Sequence, residues 1–424
     1  MKKQDWLENL FQRTTQGIKP GLEVISALLE ALGNPHQQLA VVHVAGTNGK
    51  GSVCTMIDSV LRASGFKTAL YTSPHLLHFS ERFRINGQPI PDARLEALAT
   101  SLIDLSDQVA QKTGLRPATF FEISTALAFL YFQQEKVDIV ILETGMGGRW
   151  DATNVVIPLL SILTHIDVDH TRYLGDNLEQ IAHEKAGIIK PGRPVISAPQ
   201  SSTVRSVLLK ETQNILWSEE QVSITRTALP QRLKIETPSR SLPPIQLPLW
   251  GACQRENCAV ATSALEILAD ILDFEPAFKK GFESVIWPAR LQCLQENPPI
   301  LLDGAHNPDA AHALVQSLKE LYPHHQIGFI LGFLDDKDTN AFLQEIKPIA
   351  SNAWIIPLNG DRAADPEKIT QQAKNIGLNA HSSPSILQAW DASSAWLTHT
   401  PHRVLCITGS LFLPQTLAEN KLFS

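Results

Sequence analysis

From residue 40 onward the chain alternates short apolar runs with amphipathic stretches, a pattern that predicts βαβ units around a parallel sheet. AVVHVAG at 40–46 reads as a strand. Val53, Met56, Ile57, Val60 and Leu61 then share one helical face, and Gly65 stands where that helix should stop. KTALYTS at 67–73 predicts the next strand. VDIVILETG at 137–145 is apolar through its middle, as a strand covered on both faces should be, and LLSILTHID at 159–167 and RPVISAP at 193–199 repeat the pattern. Together they predict a doubly wound N-terminal α/β domain.

The texture changes between residues 199 and 250, where Ser, Thr, Pro and Arg dominate and QVSITRT and QRLKIET alternate with period two. A small antiparallel β insertion is expected there, at about 215–250. A helix resumes after Gln254. WPARLQ at 287–292 then leads into PILLDGAHN, QIGFILGF, AWIIPLNG and RVLCITGS, each followed by a helical pattern. This second series predicts a smaller, Rossmann-like α/β domain, so the expected domains are 1–289 and 290–424.

Composition narrows the chemistry. Of 424 residues, 43% are hydrophobic and 19% charged, which is ordinary globular usage. A net charge of -7 without a basic run argues against a nucleic-acid partner. No apolar stretch reaches the roughly 18 to 20 residues of a membrane span, and the N-terminal MKKQDWLENLFQ interrupts its apolar positions with charge, so a cytoplasmic protein is expected. The five cysteines form no CxxC pair, which fits reduced, buried thiols better than a disulfide framework or zinc site.

VAGTNGKGS at 44–52 joins the first strand to the first helix, so backbone N–H groups at a helix N-terminus can cradle an anion. Gly46, Gly49 and Gly51 allow close approach of the main chain, and Lys50 supplies a cation. The loop departs from the common phosphate-loop spacing: fewer residues precede the Gly-Lys pair, and Ser52 follows the lysine by two positions. Glu143 ends an otherwise apolar strand, where ligands of open α/β sheets gather, which fits a magnesium ligand better than the alternative of a salt bridge at a strand end.

GTNGKGS resembles the ATP loop of the Mur ligase superfamily, and further motifs narrow the resemblance to the bacterial folylpolyglutamate synthase and dihydrofolate synthase family. These are YTSPHL at 71–76, ERFRING at 81–87, FFE at 120–122, ETGMGGRWDATN at 143–154, DHTRYLG at 169–175, HEKAGIIK at 183–190, WPARLQ at 287–292, DGAHNP at 303–308, GFLDDKD at 332–338 and TGS at 408–410. The resemblance implies an ATP-dependent amide ligase that joins L-glutamate to dihydropteroate, to the γ-carboxylate of tetrahydrofolates, or to both, through an acyl phosphate. TFFE and SPHL incline the reading to the bifunctional form. A single-activity folylpolyglutamate synthase is the nearest alternative. A ligase of UDP-linked cell-wall precursors is expected to carry a further N-terminal domain, and a phosphotransferase would turn over without glutamate.

Residue by residue, the resemblance implies ATP contacts from Gly46, Thr47, Asn48, Gly49, Lys50, Gly51, Ser52, Asn257, Arg290 and Asp303. It implies two magnesium ions held by Ser73, Glu143 and His170, with Lys50, Lys185 and His170 as the catalytic set and Lys185 carbamylated. Magnesium prefers hard oxygen ligands, so His170 reads without the family as a hydrogen-bonded loop histidine, and Lys185 as a helix-surface lysine. Thr119, Phe121, Glu122, Trp150, Asp151 and Ala152 are implied to line the pteroate site, where an aromatic ring stacks on the pterin and a carboxylate accepts from its amino group. Phe121 would otherwise be helix core. His306 and Ser410 are implied to hold glutamate, although His306 could instead cap the following helix. The partners are then small molecules, and the mixed surface charge suits a monomer.

Overall fold

The computed structural model describes residues 5–13, 21–169, 171–360 and 362–422. Eight strands build the first sheet: β1 (Val41–Ala45), β2 (Thr68–Tyr71), β3 (Phe83–Ile85), β4 (Gln88–Pro89), β5 (Ile139–Glu143), β6 (Leu160–Leu163), β7 (Val195–Ser197) and β8 (Ile215–Trp217). Their spatial order is β4-β3-β2-β5-β1-β6-β7-β8, so the strand that feeds the Gly-rich loop lies inside the sheet. β2, β5, β1, β6, β7 and β8 pair in parallel, whereas β3 and β4 run antiparallel at one edge. β1 and β5 are buried at every position, as expected of largely apolar strands inside a sheet covered on both faces, with His43 of β1 and Glu143 of β5 the polar exceptions.

Helices cover this sheet around separate cores. One core joins Val41, Tyr71, Phe83 and Leu142 to Phe129 and Phe132 of the Phe120–Gln134 helix. Another joins Leu163 and Val195 to Ile181 of the Leu178–Ala186 helix and Leu208 of the Ser202–Glu211 helix. The helix expected after the loop runs Lys50–Ala63, and Gly65 follows its end at φ +98°.

The insertion is smaller than the sequence pattern predicted. Ile215–Trp217 belongs to the large sheet, pairing parallel with β7 through Val195↔Ile215, because burying Ile215 and Trp217 against that core outweighs continuation into the polar segment. The separate antiparallel piece is β9 (Ser223–Ala228), β10 (Arg232–Glu236) and β11 (Ile245–Gln246), in the order β11-β10-β9.

The last sheet has the order β12-β13-β17-β14-β15-β16, from β12 (Gln292–Glu296), β13 (Pro299–Leu302), β14 (Gln326–Leu331), β15 (Ala350–Ile355), β16 (Ala380–Ser382) and β17 (Arg403–Thr408). Only β12 is antiparallel to its neighbour. Phe329, Phe333, Phe342 and Leu405 are fully or almost fully buried around it. The chain divides into two compact units: the first holds residues through Thr225 with Lys234–Ile245 and Glu256–Val285, and the second holds Arg226–Leu233, Gln246–Arg255 and everything from Ile286 on. The α/β class and the pair of α/β sheets match the sequence expectation, but the chain crosses between units more often than one boundary near residue 290 implies.

Candidate active site

In the first unit, β1 ends at Ala45 and the chain turns through Gly46 to Gly49 into the Lys50–Ala63 helix. Gly46 has φ +154°, and a Cβ there would lie 1.8 Å from Thr164 Oγ1. Gly49 has φ +88°, and its Cβ would meet Asn257 Oδ1 at 2.3 Å, so the loop can close against Asn257 only as glycine. The His165 carbonyl accepts from Thr47 N–H at 2.8 Å and from Asn48 N–H at 3.3 Å, so these two amides shape the loop. The first intrahelical bond runs from Val53 N–H to Gly49 O at 2.9 Å. Lys50, Gly51 and Ser52 precede it, and their N–H groups have no acceptor within the helix, which makes them the natural anion donors.

Two lysines converge on one carbonyl. Gly46 O accepts from Lys50 Nζ at 3.1 Å and from Lys185 Nζ at 2.8 Å. Lys185 is only 3% exposed, and burial, with the Lys50 charge beside it, lowers its pKa to about 7. The Leu178–Ala186 helix therefore delivers a buried amine that is close to half neutral at pH 7, which rules out the surface-lysine reading.

Glu143 is 4% exposed and lies beside Val44 in the β1–β5 register, immediately below the loop. Its Oε2 accepts the Ser73 N–H at 3.0 Å, so parallel pairing of β2 with β5 brings Ser73 and Glu143 together at one end of the sheet. A carboxylate and a hydroxyl-bearing residue are hard oxygen donors of the type magnesium takes. His170 lies outside the described residues.

The implied pteroate residues gather around the loop after β5. Phe121 is half-buried, and its ring lies so close to Gly145 that a Cβ there would meet it at 2.4 Å. Trp150 is 50% exposed, whereas Ala152 and Asp151 are buried. Asp151 Oδ2 accepts Met146 N–H at 2.9 Å, and Oδ1 accepts Thr153 N–H at 3.0 Å and the Thr153 hydroxyl at 2.5 Å. Glu122 is engaged at the start of its own helix. With Thr119 it forms a capping box on the Phe120–Gln134 helix, and Arg116 grips both its oxygens at 2.7 and 3.0 Å. Those oxygens also take Thr119 N–H and its hydroxyl, so the carboxylate shapes the helix start.

In the second unit, Asp303 follows β13 and anchors the WPARLQ loop. Its Oδ2 accepts Leu291 N–H at 2.7 Å and its Oδ1 accepts Ala305 N–H at 2.8 Å. Ala289 and Leu291 flank Arg290 at φ +56° and +47°, an uncommon backbone for residues with side chains. Arg290 Nη1 donates to Ala289 O at 2.9 Å. Burial pushes the Asp303 pKa up, while Arg290 opposes that shift. Parallel pairing of β13 with β17 brings DGAHNP beside TGS, and Gly409 N–H donates to Ala305 O at 2.9 Å. His306 Nδ1–H donates to Gly304 O at 2.8 Å, and Asn307, not His306, caps the following helix by accepting Ala310 N–H. Ser410 is buried, and its Oγ accepts Phe412 N–H at 3.2 Å.

Comparison with known proteins decides what these sites belong to. Residues 44–265 match the Mur ligase middle domain, and residues 289–411 match the glutamate ligase domain of Mur ligases. The chain is 37% identical over 368 residues to the dihydrofolate synthase/folylpolyglutamate synthase of Bacillus subtilis, covering 82% of this chain and 83% of the relative. It is 35% identical over 409 residues to the folylpolyglutamate synthase of Lacticaseibacillus casei, covering 94% of each. This chain belongs to the folylpolyglutamate synthase and dihydrofolate synthase family of Mur ligases. A Mycobacterium tuberculosis folylpolyglutamate synthase complexed with ADP and AMPPCP superposes with a TM-score of 0.89 at 29% identity, over 99% of both chains. An Escherichia coli structure in complex with DHPP and ADP gives 0.85 at 31% identity, over 99% of this chain and 96% of that one.

As a member of this family the chain is an ATP-dependent ligase, and among its described residues no helix is long and apolar enough to cross a membrane. Sequence reasoning missed two side chains in the elements described above. Arg116 gave no signal beyond its own charge. His43, fully buried in β1, interrupts the apolar run VVHVA and offered a readable anomaly.

Proposed function

We propose that the enzyme is bifunctional: it joins L-glutamate to 7,8-dihydropteroate and extends tetrahydrofolates at the γ-carboxylate. The carboxylate oxygen attacks the γ-phosphorus of ATP, ADP leaves, and an acyl phosphate forms. The glutamate amine then attacks the acyl carbon, phosphate departs, and the amine loses its proton. Activation is needed because oxide is too poor a leaving group near pH 7. The protein's task is to position the partners and offset charge, without a covalent side-chain nucleophile.

Residues 1–289 form the ATP-binding part and 290–424 the glutamate-ligase part in this reading. Lys50 and the amides of Gly49, Lys50, Gly51 and Ser52 receive the β- and γ-phosphates within a loop shaped by Gly46, Thr47 and Asn48. Asn257 faces the adenine, Arg290 the phosphates and Asp303 the ribose. Glu143 and Ser73 suit one magnesium ion and His170 a second, and the metal would supply neutralisation of phosphate charge. Lys185, in its neutral form, is suited to add CO2 as a carbamate, releasing one proton. Phe121, Trp150, Asp151 and Ala152 line the pteroate site, with Thr119 and Glu122 holding its helix, while His306 and Ser410 serve glutamate.

The observation that carries this reading is the meeting of Lys50, Lys185 and Gly46 O at the head of β1, one strand away from the buried Glu143. Purified enzyme should release phosphate only when L-glutamate and a pteroate or folate substrate are both present. Mass spectrometry should show dihydrofolate from dihydropteroate and lengthened tails from tetrahydrofolate. Products from tetrahydrofolate alone would favour the single-activity synthase. Phosphate release indifferent to both organic substrates would overturn the proposal.

A further inference from the structure

His43 occupies the third position of β1, between Leu142 of β5 and Ser161 of β6, and has no solvent exposure. An imidazole there is costly, because apolar surroundings disfavour its charge and every ring nitrogen needs a partner. Burial and the nearby Lys190 hold its pKa at about 3, so the ring is neutral at working pH. Its Nε2 lies 2.8 Å from Thr153 Oγ1. Its buried Nδ1 has no hydrogen-bond partner, so only one nitrogen is in use.

The direction of that bond follows from what lies beyond it. Burial raises the Asp151 pKa, but Met146 N–H on Oδ2 and Thr153 N–H on Oδ1 oppose that shift and leave both oxygens as acceptors, so the single proton of the Thr153 hydroxyl goes to Asp151 Oδ1. The hydroxyl oxygen must then accept from His43, which places the proton on Nε2 and leaves Nδ1 bare. Asp151 in turn ties Met146 N–H to Thr153 N–H, closing the loop that presents Trp150 and Ala152 into a knot.

We propose that His43 and Thr153 are positioning residues for the pteroate or folate substrate: a one-way chain of donors, His43 to Thr153 to Asp151, pins the substrate loop to the strand that feeds the ATP loop. This deepens the bifunctional reading and rests on it for the identity of the substrate. The arrangement explains why β1 tolerates an imidazole with one idle nitrogen. A leucine would pack as well there and satisfy every valence, but it would leave Thr153 without its donor.

The test compares full-length His43→Leu, His43→Gln, His43→Asn and Thr153→Val. A glutamine amide reaches the position of Nε2, whereas an asparagine amide reaches only Nδ1. His43→Leu should keep a thermal midpoint close to wild type, whereas Thr153→Val, which leaves the buried His43 Nε2–H unpaired, should fold with a midpoint lowered by a few degrees. Their KM for dihydropteroate should rise on the order of tenfold, with KM for ATP within about twofold. His43→Gln should restore the KM and His43→Asn should not. Unchanged KM for dihydropteroate, an equal rise for both substrates, or equal rescue by Asn and Gln would each overturn the proposal.

A second measurement separates this failure from failure of the substrate assignment. In 15N-histidine-labelled wild-type protein, His43 should show the neutral Nε2–H pattern down to pH 5, even if dihydropteroate is not a substrate. A His43 ring that titrates above pH 5, or that carries its proton on Nδ1, would overturn the relay itself.

Discussion

Lys185 has little to gain from its proton: its Nζ is buried, shares the Gly46 carbonyl with Lys50, and its pKa has fallen from 10.5 to about 7. In the unfolded chain the same amine stays protonated up to its ordinary range. Between about pH 7 and 10.5 the unfolded state therefore binds more protons than the folded one, and stability from this residue rises with pH across that window. Below it both states are protonated, and the buried ammonium exerts its full penalty. In CO2-free buffer, which keeps the amine unmodified, a Lys185→Met variant should lose this slope: its thermal midpoint relative to wild type should be higher at pH 6.5 and fall back toward wild type by pH 9. A pH-independent difference would contradict the shifted amine. If Lys185 takes up CO2 as proposed, CO2-depleted buffer should lower turnover and bicarbonate should restore it, faster at pH 8 than at pH 6.5 because more of the amine is then neutral.

The start of the Phe120–Gln134 helix shows how an element can claim a side chain that sequence motifs assign to a ligand. Thr119 and Glu122 exchange hydrogen bonds across the first turn, and Arg116 closes the arrangement. Glu122→Gln preserves the capping-box pattern and should lower stability modestly, whereas Glu122→Ala should cost about 1–3 kcal/mol by leaving buried donors unpaired. Urea denaturation compares the two, and equal losses would mean that the cap contributes little. The Arg290 loop makes a parallel case. Asp303→Asn keeps the shape but offers one acceptor where Leu291 N–H and Ala305 N–H need two, so about 1–3 kcal/mol of stability should be lost in the same assay. An unchanged midpoint would remove Asp303 as the anchor. These elements also mark what could be read in advance. β1, β5 and β14 announced themselves because strands covered on both faces are predominantly apolar. β8 did not, because an edge strand of three residues leaves too short a pattern. The β3–β4 hairpin carried a signal that went unused: Asn86-Gly87, both at positive φ, is the preferred two-residue turn. The occupation of Glu122 depended on Arg116, six residues away, and on geometry that no spacing rule contains.

At the scale of the molecule, a chain of net charge -7 must hold a nucleotide of its own sign, so affinity has to come from local fields. The N-terminus of the Lys50–Ala63 helix and the Lys50 ammonium supply such a field in the first unit. A ligand that binds only the folded state stabilises it by mass action, by about 2.7 kcal/mol when present at a hundred times its dissociation constant. For a unit of this size that corresponds to a rise of roughly 5 °C in midpoint. A non-hydrolysable ATP analogue with magnesium should therefore shift the wild-type thermal midpoint by that amount. Lys50→Ala removes one half-exposed side chain, whose bonds are to its own loop, so its unliganded midpoint should stay near wild type while most of the shift disappears. Turnover in that variant should fall a hundredfold or more, the scale expected when a preorganised charge facing the transferred phosphoryl group is lost. If the analogue stabilised both proteins equally, nucleotide binding would have to be assigned to groups other than this loop, and Lys50 would stand as a structural lysine.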